Sequence, residues 1–145
     1  MKSDMCSHRI LIVDRASNIR AVLSELLGDE GFDVITANNN DEALLRARAL
    51  HPAAILIELE SERDLAAVSN LSSIPNVQVI ALTAFGRTSL AIDALRCGAS
   101  DYVMKPFSHI ELLVVVQKAV EHYDLAREVV ELRLALGRSE RPPIE

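Results

Sequence analysis

Short apolar runs alternate with amphipathic stretches along this chain, and the alternation predicts strands and helices in turn. Five runs are rich in branched apolar residues and are predicted to be strands: residues 9–14 (RILIVD), 32–37 (FDVITA), 53–59 (AAILIEL), 77–84 (VQVIALTA) and 101–105 (DYVMK). Because most of these runs are apolar on both faces, we expect a parallel sheet that is covered by helices on both sides.

A helix is predicted after each strand, from apolar residues at helical spacing. The predicted spans are 17–30, 41–50, 62–72, 88–97 and a long helix from about Ser108 to about Leu136. Ser17 is predicted to cap the first helix, and Gly98 is predicted to end the fourth. The inner face of the first helix is predicted to consist of Ile19, Val22, Leu23, Leu26 and Leu27, and that of the third of Leu65, Ala66, Val68 and Leu71.

Five βα units predict a doubly wound α/β fold with a five-stranded parallel sheet. In such folds the functional site lies at the carboxyl ends of the strands. That rule selects Asp14 and Arg15 after the first strand, and Glu58, Thr83 and Lys105 at the ends of the third, fourth and fifth strands. We therefore expect these five side chains to lie along one rim of the sheet.

Length and composition limit the number of domains and the class of protein. A chain of 145 residues fits one domain. Its net charge of −6, without a cluster of Lys or Arg, argues against nucleic acid or an anionic membrane as the main partner. Because the chain has no apolar stretch typical of a signal peptide or a membrane span, we expect a soluble, cytoplasmic protein.

Metal-ligating residue types show no pattern typical of a site. Cys6 and Cys97 lack metal or redox spacing and are predicted to be reduced thiols. The four histidines are scattered along the chain and are predicted to lie on the surface: His8, His51, His109 and His122. The sequence therefore predicts neither a bound metal nor a cofactor.

The last helix is longer than the sheet requires. Its inner stripe is predicted to be Leu113, Val116, Ala119 and Val120, yet the segment 124–136 remains rich in apolar residues. Four of them, Leu125, Val129, Leu132 and Leu136, follow a 4-3-4 heptad spacing. With Val115, which points away from the inner stripe, they predict a homodimer interface. The alternative is that this extension folds back on its own domain.

Three segments together resemble the receiver domain of two-component response regulators. ILIVD with SNIRAVLSELL is similar to the first βα unit of that family, IALTAFG to its fourth strand, and CGASDYVMKPF to its fifth. The resemblance covers residues 9–121 in the correct order. It implies a flavodoxin-like (βα)₅ fold with strand order 2-1-3-4-5.

The resemblance also implies a function. Receivers accept a phosphoryl group from a histidine kinase on an aspartate that ends the third strand, and two adjacent acids after the first strand hold Mg²⁺. The threonine of the fourth strand and the lysine of the fifth contact the phosphoryl oxygens, and an aromatic residue moves with them. The matching residues are Asp14, Thr83, Lys105 and Tyr102. Tyr102 is otherwise a half-buried strand residue.

Two positions depart from the family pattern. Arg15 occupies the place of the second acid, and Glu58 that of the phosphoacceptor. The formal charges of Asp14, Arg15, Glu58 and Lys105 sum to zero, which removes the need for a cation. Our hypothesis is that Arg15 replaces the metal by gripping Glu58 or Asp14. Glu58 then either mimics a phosphoryl group or is held away from Thr83, unless it simply pairs with Lys105.

The sequence therefore predicts an atypical receiver that acts as a phosphorylation-independent interaction module and not as an enzyme. Its predicted partners are a second copy and other signalling proteins. The alternatives are a conventional phospho-switch that uses Mg²⁺, and small-molecule sensing at the rim. The predicted organisation is a tail at 1–8, a receiver-like domain at 9–122, a helical extension at 123–137 and a disordered tail at 138–145, in an adaptor or a fragment of a longer regulator.

Overall fold

A computed structural model describes residues 8–139, and the side chains of residues 8–136. Residues 1–7 of the predicted N-terminal tail, including Cys6, and residues 140–145 of the predicted C-terminal tail lie outside the described part. The last helix continues to Ser139, two residues beyond the predicted end of the extension.

The predicted βα alternation and strand order are confirmed. The strands are β1 (Arg9–Val13), β2 (Asp33–Ala37), β3 (Ala54–Glu58), β4 (Gln78–Ala84) and β5 (Asp101–Lys105). The helices are α1 (Ser17–Asp29), α2 (Asn40–Leu50), α3 (Leu65–Ser72), α4 (Thr88–Arg96) and α5 (His109–Ser139), and a short 3₁₀ turn, Glu62–Asp64, precedes α3. All strand pairs are parallel, in the order β2-β1-β3-β4-β5.

Two apolar cores cover the two faces of the sheet. Alternate residues of a strand point to opposite faces, so Leu11 and Ile57 pack under α2, α3 and α4, whereas Ile12 and Leu56 pack under α1 and α5. Because both faces are buried, the strands carry apolar residues at nearly every position. Because helices bury both faces of the sheet, the polar side chains of a functional site are expected at the ends of the strands.

Some details of the helix predictions are wrong. Ser17 is the first residue of α1 and not its cap; Ala16 takes the cap position, because its main-chain N–H is held by the Asp14 carboxylate. Val22 is 55% exposed on the outer face of α1. In α3, Ala66 is exposed and its neighbour Ala67 packs against the core instead, because α3 begins only at Leu65.

Gly98 ends α4 as predicted. It follows the cap residue Cys97 and adopts φ +116°, a conformation that glycine tolerates and other residues rarely adopt. A Cβ atom at this position would lie 2.3 Å from Oγ of Ser72. Glycine is therefore required both by the turn and by the close approach of α3.

His8 departs from the predicted surface placement of the histidines. It is half-buried, and its Nε2 lies 2.9 Å from Oδ1 of Asp124, while its ring meets the Tyr123 ring edge-on. The other three histidines are exposed. His8 therefore joins the start of β1 to α5 at the end of the sheet opposite the predicted site.

Helix α5 has 31 residues, and only its first part packs on the sheet. Leu112, Val116, Ala119 and Val120 are buried, and Leu113 packs beside them. Val115 is half-buried against the same core, so the structure assigns it to the packing of its own domain. Beyond Tyr123 the large apolar side chains are exposed: Leu125, Val129, Val130, Leu132, Leu134 and Leu136. Within residues 8–139 no helix has the length and hydropathy to cross a membrane.

Candidate functional site

The carboxyl edge of the sheet brings three of the predicted site residues into direct contact. Nζ of Lys105 lies 3.3 Å from Oδ2 of Asp14 and 3.3 Å from Oε2 of Glu58. Asp14 directly follows β1, Glu58 ends β3 and Lys105 ends β5, so parallel pairing places their side chains at one edge. One ammonium group thus bridges two carboxylates.

Asp14 is the buried member of this group. It is 1% exposed, and its Oδ1 accepts a hydrogen bond of 2.9 Å from the main-chain N–H of Ala16. The guanidinium of Arg20 donates to its main-chain carbonyl. These contacts fix the carboxylate at the start of α1, with Oδ2 directed to Lys105.

The expected grip of Arg15 on Glu58 or Asp14 is wrong. Nη2 of Arg15 donates to Oδ1 of Asp64 at 3.1 Å, and Nη1 lies 3.3 Å from Oε1 of Glu60. Both partners belong to the segment after β3. Lys105 supplies the cation for Glu58, as in the strand-end pairing that the sequence left open.

Asp64 is a site residue that was not predicted from the sequence. It is 3% exposed; its Oδ1 accepts from Arg15 and from Nδ2 of Asn40 at 3.0 Å, and its Oδ2 accepts from the main-chain N–H of Glu60 at 2.8 Å. Ser61 and Asp64 form a reciprocal capping box at the 3₁₀ turn. The spacing Ser-x-x-Asp was the available signal. Asp64 therefore ties the β3–α3 loop to Arg15 and to the start of α2.

The pKa values of the two carboxyl groups shift in opposite directions. Burial raises the pKa of Glu58, the negative charge of Asp14 adds to this rise, and Lys105 opposes it. The pKa of Asp64 is lowered, since the Glu60 main-chain hydrogen bond and the Arg15 and Asn40 hydrogen bonds together outweigh its burial. The pKa of Arg15 is raised chiefly by its hydrogen bond to Asp64. Arg15 thus stabilises the charge of Asp64, while Glu58 keeps an incompletely compensated one.

Two buried polar atoms at this edge lack hydrogen-bond partners within the described residues: Oε1 of Glu58 and Oγ1 of Thr83. Thr83 is fully buried in β4, next to the residue that pairs with Glu58. Tyr102, one strand further, is 38% exposed and points outward from β5. The predicted switch pair therefore consists of a buried threonine, whose hydroxyl has no hydrogen-bond partner in the described part of the chain, and an exposed tyrosine.

The residues at this edge do not fit the Mg²⁺ site that the resemblance implies. With Glu60 and Asp64 included, four carboxylates and two cations give a formal charge of −2, so the predicted sum of zero omitted two acids. The two additional carboxylates nevertheless pair with Arg15, and Lys105 engages Oδ2 of Asp14 and Oε2 of Glu58. Among residues 8–139, no group of three or more acids, histidines or cysteines is arranged to hold a metal ion.

Comparisons with known proteins agree with the fold. The chain is 37% identical over 135 residues to the regulatory protein AtoC of Escherichia coli K12, and the match covers 91% of this chain and 29% of AtoC. It is 35% identical over 133 residues to the nitrogen assimilation regulatory protein NtrX of Azorhizobium caulinodans, covering 88% of this chain and 29% of that protein. The chain thus spans less than a third of each of these relatives.

Solved structures of related proteins also superpose on this chain. The structure of NtrX from Brucella abortus in complex with ADP superposes with a TM-score of 0.81 at 31% identity, over 88% of this chain and 29% of that one. The family model of the response regulator receiver domain matches residues 10–117. The βα order, the sheet topology and these matches together show that the chain belongs to the response regulator receiver domain family.

Proposed function

We propose that this receiver signals by protein interaction without phosphorylation of its strand-three carboxylate. The observation that supports the proposal most directly is the position of Lys105, 3.3 Å from both Asp14 and Glu58. This bridge engages one carboxylate oxygen of Asp14 and one of Glu58. In this proposal Glu58 serves as the charge partner of Lys105 and not as a phosphoacceptor.

The Arg15–Asp64 pair supports the same proposal from the other side of the edge. Phosphoryl transfer depends on stabilising the charge that develops on the transferred oxygens. The guanidinium of Arg15 stands where the second acid would stand, and its contacts to Asp64 and Glu60 hold it there. A divalent cation at that position would meet a fixed positive charge.

Thr83 and Tyr102 are proposed to keep a conformational role without the phosphoryl group. Oγ1 of Thr83 is buried and has no partner among the described residues, so a rotation that brings it to the Glu58 carboxylate would gain a hydrogen bond. Tyr102 lies one strand away on the exposed face of β5. In this proposal, partner proteins select between two arrangements of these side chains.

Incubation of the chain with a small acyl-phosphate donor and Mg²⁺, followed by intact-mass measurement, tests the proposal. We expect no gain of a phosphoryl group on the wild-type chain. A receiver of the same family that carries the usual aspartates serves as the positive control. Phosphorylation of Glu58 would instead establish the conventional phospho-switch.

The partner that the chain itself offers is a second copy, bound through Leu125, Val129, Leu132 and Leu136. Leu132 and Leu134 provide a matched test, because both are leucines of nearly equal exposure (56% and 58%), but only Leu132 lies in the heptad stripe. We expect light scattering to give a dimer for wild type and for Leu134→Lys, and a monomer for Leu132→Lys. Equal effects of the two substitutions, or a wild-type monomer, would contradict this partner.

A further inference from the structure

We propose that residues 125–136 of two copies form a parallel, in-register coiled coil, held in register by Glu128 of one copy and Arg133 of the other. This inference rests on the proposed homodimer and adds its orientation and its charge pairing. It follows from the heptad positions of the exposed side chains on α5 and from the placement of charge around them.

The apolar positions favour a coiled coil of two helices. In the heptad that the spacing defines, Val129 and Leu136 occupy the a positions, and Leu125 and Leu132 the d positions. All four side chains are exposed on the part of α5 that extends beyond Tyr123. In parallel coiled coils, a β-branched residue at a combined with leucine at d favours two helices, and Val129 with Leu125 and Leu132 follows this pattern.

The charged residues distinguish the two possible orientations. In this register Glu128 occupies a g position and Arg133 the following e position. A parallel pair brings each g side chain to the e side chain of the other helix, so Glu128 and Arg133 meet twice across the dimer. An antiparallel pair with the same apolar layers would place Glu128 opposite Ala135 and Arg133 opposite Ala126, where no charge is available.

The remaining charges of this segment lie away from the seam, which is the apolar contact between the two helices at the a and d positions. Nη2 of Arg127 is 3.9 Å from Oε2 of Glu131, in a pair within one helix. These residues occupy the f and c positions, which face outward from a two-stranded coiled coil. The two pairs therefore differ in role: Arg127 and Glu131 stabilise one helix, and Glu128 and Arg133 join two helices.

The seam begins where α5 leaves the domain. The preceding d and a positions are Lys118 and His122, and both side chains are exposed. In a parallel dimer, the two Lys118 side chains would face each other and repel, which favours separation of the helices below Leu125. Val115, the a position before them, packs on its own domain. The coiled coil thus starts at Leu125, and the two domains diverge from it.

Exchanging the two charges tests the pairing. Dimerisation is measured by sedimentation or light scattering as a function of protein concentration. Glu128→Arg alone and Arg133→Glu alone each replace two attractive contacts by two repulsive ones, and we expect each to weaken dimerisation by about tenfold. The variant with both substitutions restores opposite charges across the seam and should return to within about twofold of wild type. Circular dichroism on each variant checks that the domain remains folded.

Disulfide formation tests the orientation independently. In a background of Cys6→Ser and Cys97→Ser, the substitution Leu136→Cys places a thiol at facing a positions of a parallel pair, within the Cα separation of about 4.4–6.8 Å that a disulfide needs. We expect this variant to form a covalent dimer by itself. Cross-linking only between a Leu125→Cys copy and a Leu136→Cys copy, or charge exchange without recovery, would overturn the parallel arrangement and leave the homodimer intact. A monomer at tens of micromolar would overturn both, whatever the result of the phosphorylation test.

Discussion

Nη2 of Arg15 lies 3.1 Å from Oδ1 of Asp64, which is 49 positions further along the chain. The contact joins the loop after β1 to the loop after β3 at the carboxyl edge of the sheet. Asp64 also accepts a hydrogen bond from the main chain of its own loop. The arginine and the loop conformation therefore depend on the same carboxylate.

Asp64→Ala is predicted to destabilise the domain. It removes the acceptor of Arg15, Asn40 and the Glu60 main chain, and a buried group left without its partner costs more than a solvent-exposed one. We expect the free energy of unfolding in urea to fall by about 2–3 kcal/mol. Glu60→Gln removes the exposed partner of the same arginine and should change it by less than about 0.5 kcal/mol. Equal losses would show that Asp64 acts only as a surface charge.

Glu58→Gln is predicted to stabilise the domain at neutral pH. Because the pKa of Glu58 is raised in the folded protein, the ionised carboxylate costs stability above that pKa, and the cost is absent below the pKa of the unfolded chain. The advantage of Gln should therefore shrink as the pH falls. Melting temperatures of both proteins across the acid range measure this trend.

Glu42→Gln is the control with the opposite sign. The pKa of Glu42 is lowered, first by the hydrogen bond from the Asn38 main chain, so its ionised form stabilises the folded protein above the ordinary glutamate pKa. We expect this variant to be less stable than wild type at neutral pH and to approach it in acid. The same pH trend for Glu42→Gln and Glu58→Gln would contradict the assigned shifts.

Restoring both acids is predicted to restore phosphorylation. The double variant Arg15→Asp and Glu58→Asp supplies two adjacent acids after β1 and an aspartate at the end of β3, and it frees Asp64 from its cation. We expect intact-mass measurement to show a gain of one phosphoryl group from a small acyl-phosphate donor in the presence of Mg²⁺. Glu58→Asp alone should gain little, because Arg15 remains. A double variant that folds but stays unmodified would place the defect outside these two positions.

Gly98→Ala and Gly28→Ala are predicted to have opposite effects on stability. At Gly98, a Cβ atom would lie 2.3 Å from Oγ of Ser72 and the backbone would be strained, so we expect a loss of roughly 1–3 kcal/mol. At Gly28, within α1, nothing lies within 4 Å, and alanine should add about 0.5–1 kcal/mol through helix propensity. Urea denaturation of the two variants provides the comparison.

The sequence predicts the sheet well, because strands such as AILIE are apolar on both faces and can only be central. The convergence of Asp14, Glu58 and Lys105 follows from the same topology, since parallel strands end at one edge. Helix faces are less certain from sequence. Val22 satisfies the helical spacing, but α1 covers the sheet with Leu23 and Leu27 and leaves Val22 exposed.

The partner of Arg15 was beyond the reach of the sequence. Charge alone allows Arg15 to pair with any nearby acid, and the choice depends on how the β3–α3 loop folds. Its path is set by the capping box of Ser61 and Asp64, a local pattern whose consequence for Arg15 appears only in three dimensions. Because Arg15 pairs elsewhere, Lys105 is the residue that engages both Asp14 and Glu58.

Helix α5 also acts as a lever. It is one continuous helix from His109 to Ser139, so its buried part and its exposed part move together. Leu136 lies 16 residues beyond the buried Val120, about 24 Å along the helix axis at 1.5 Å per residue. A tilt of about 10° where α5 rests on β4 would therefore displace its tip by about 4 Å. A small change of tilt beside the sheet thus becomes a displacement of several ångströms at the exposed end of α5.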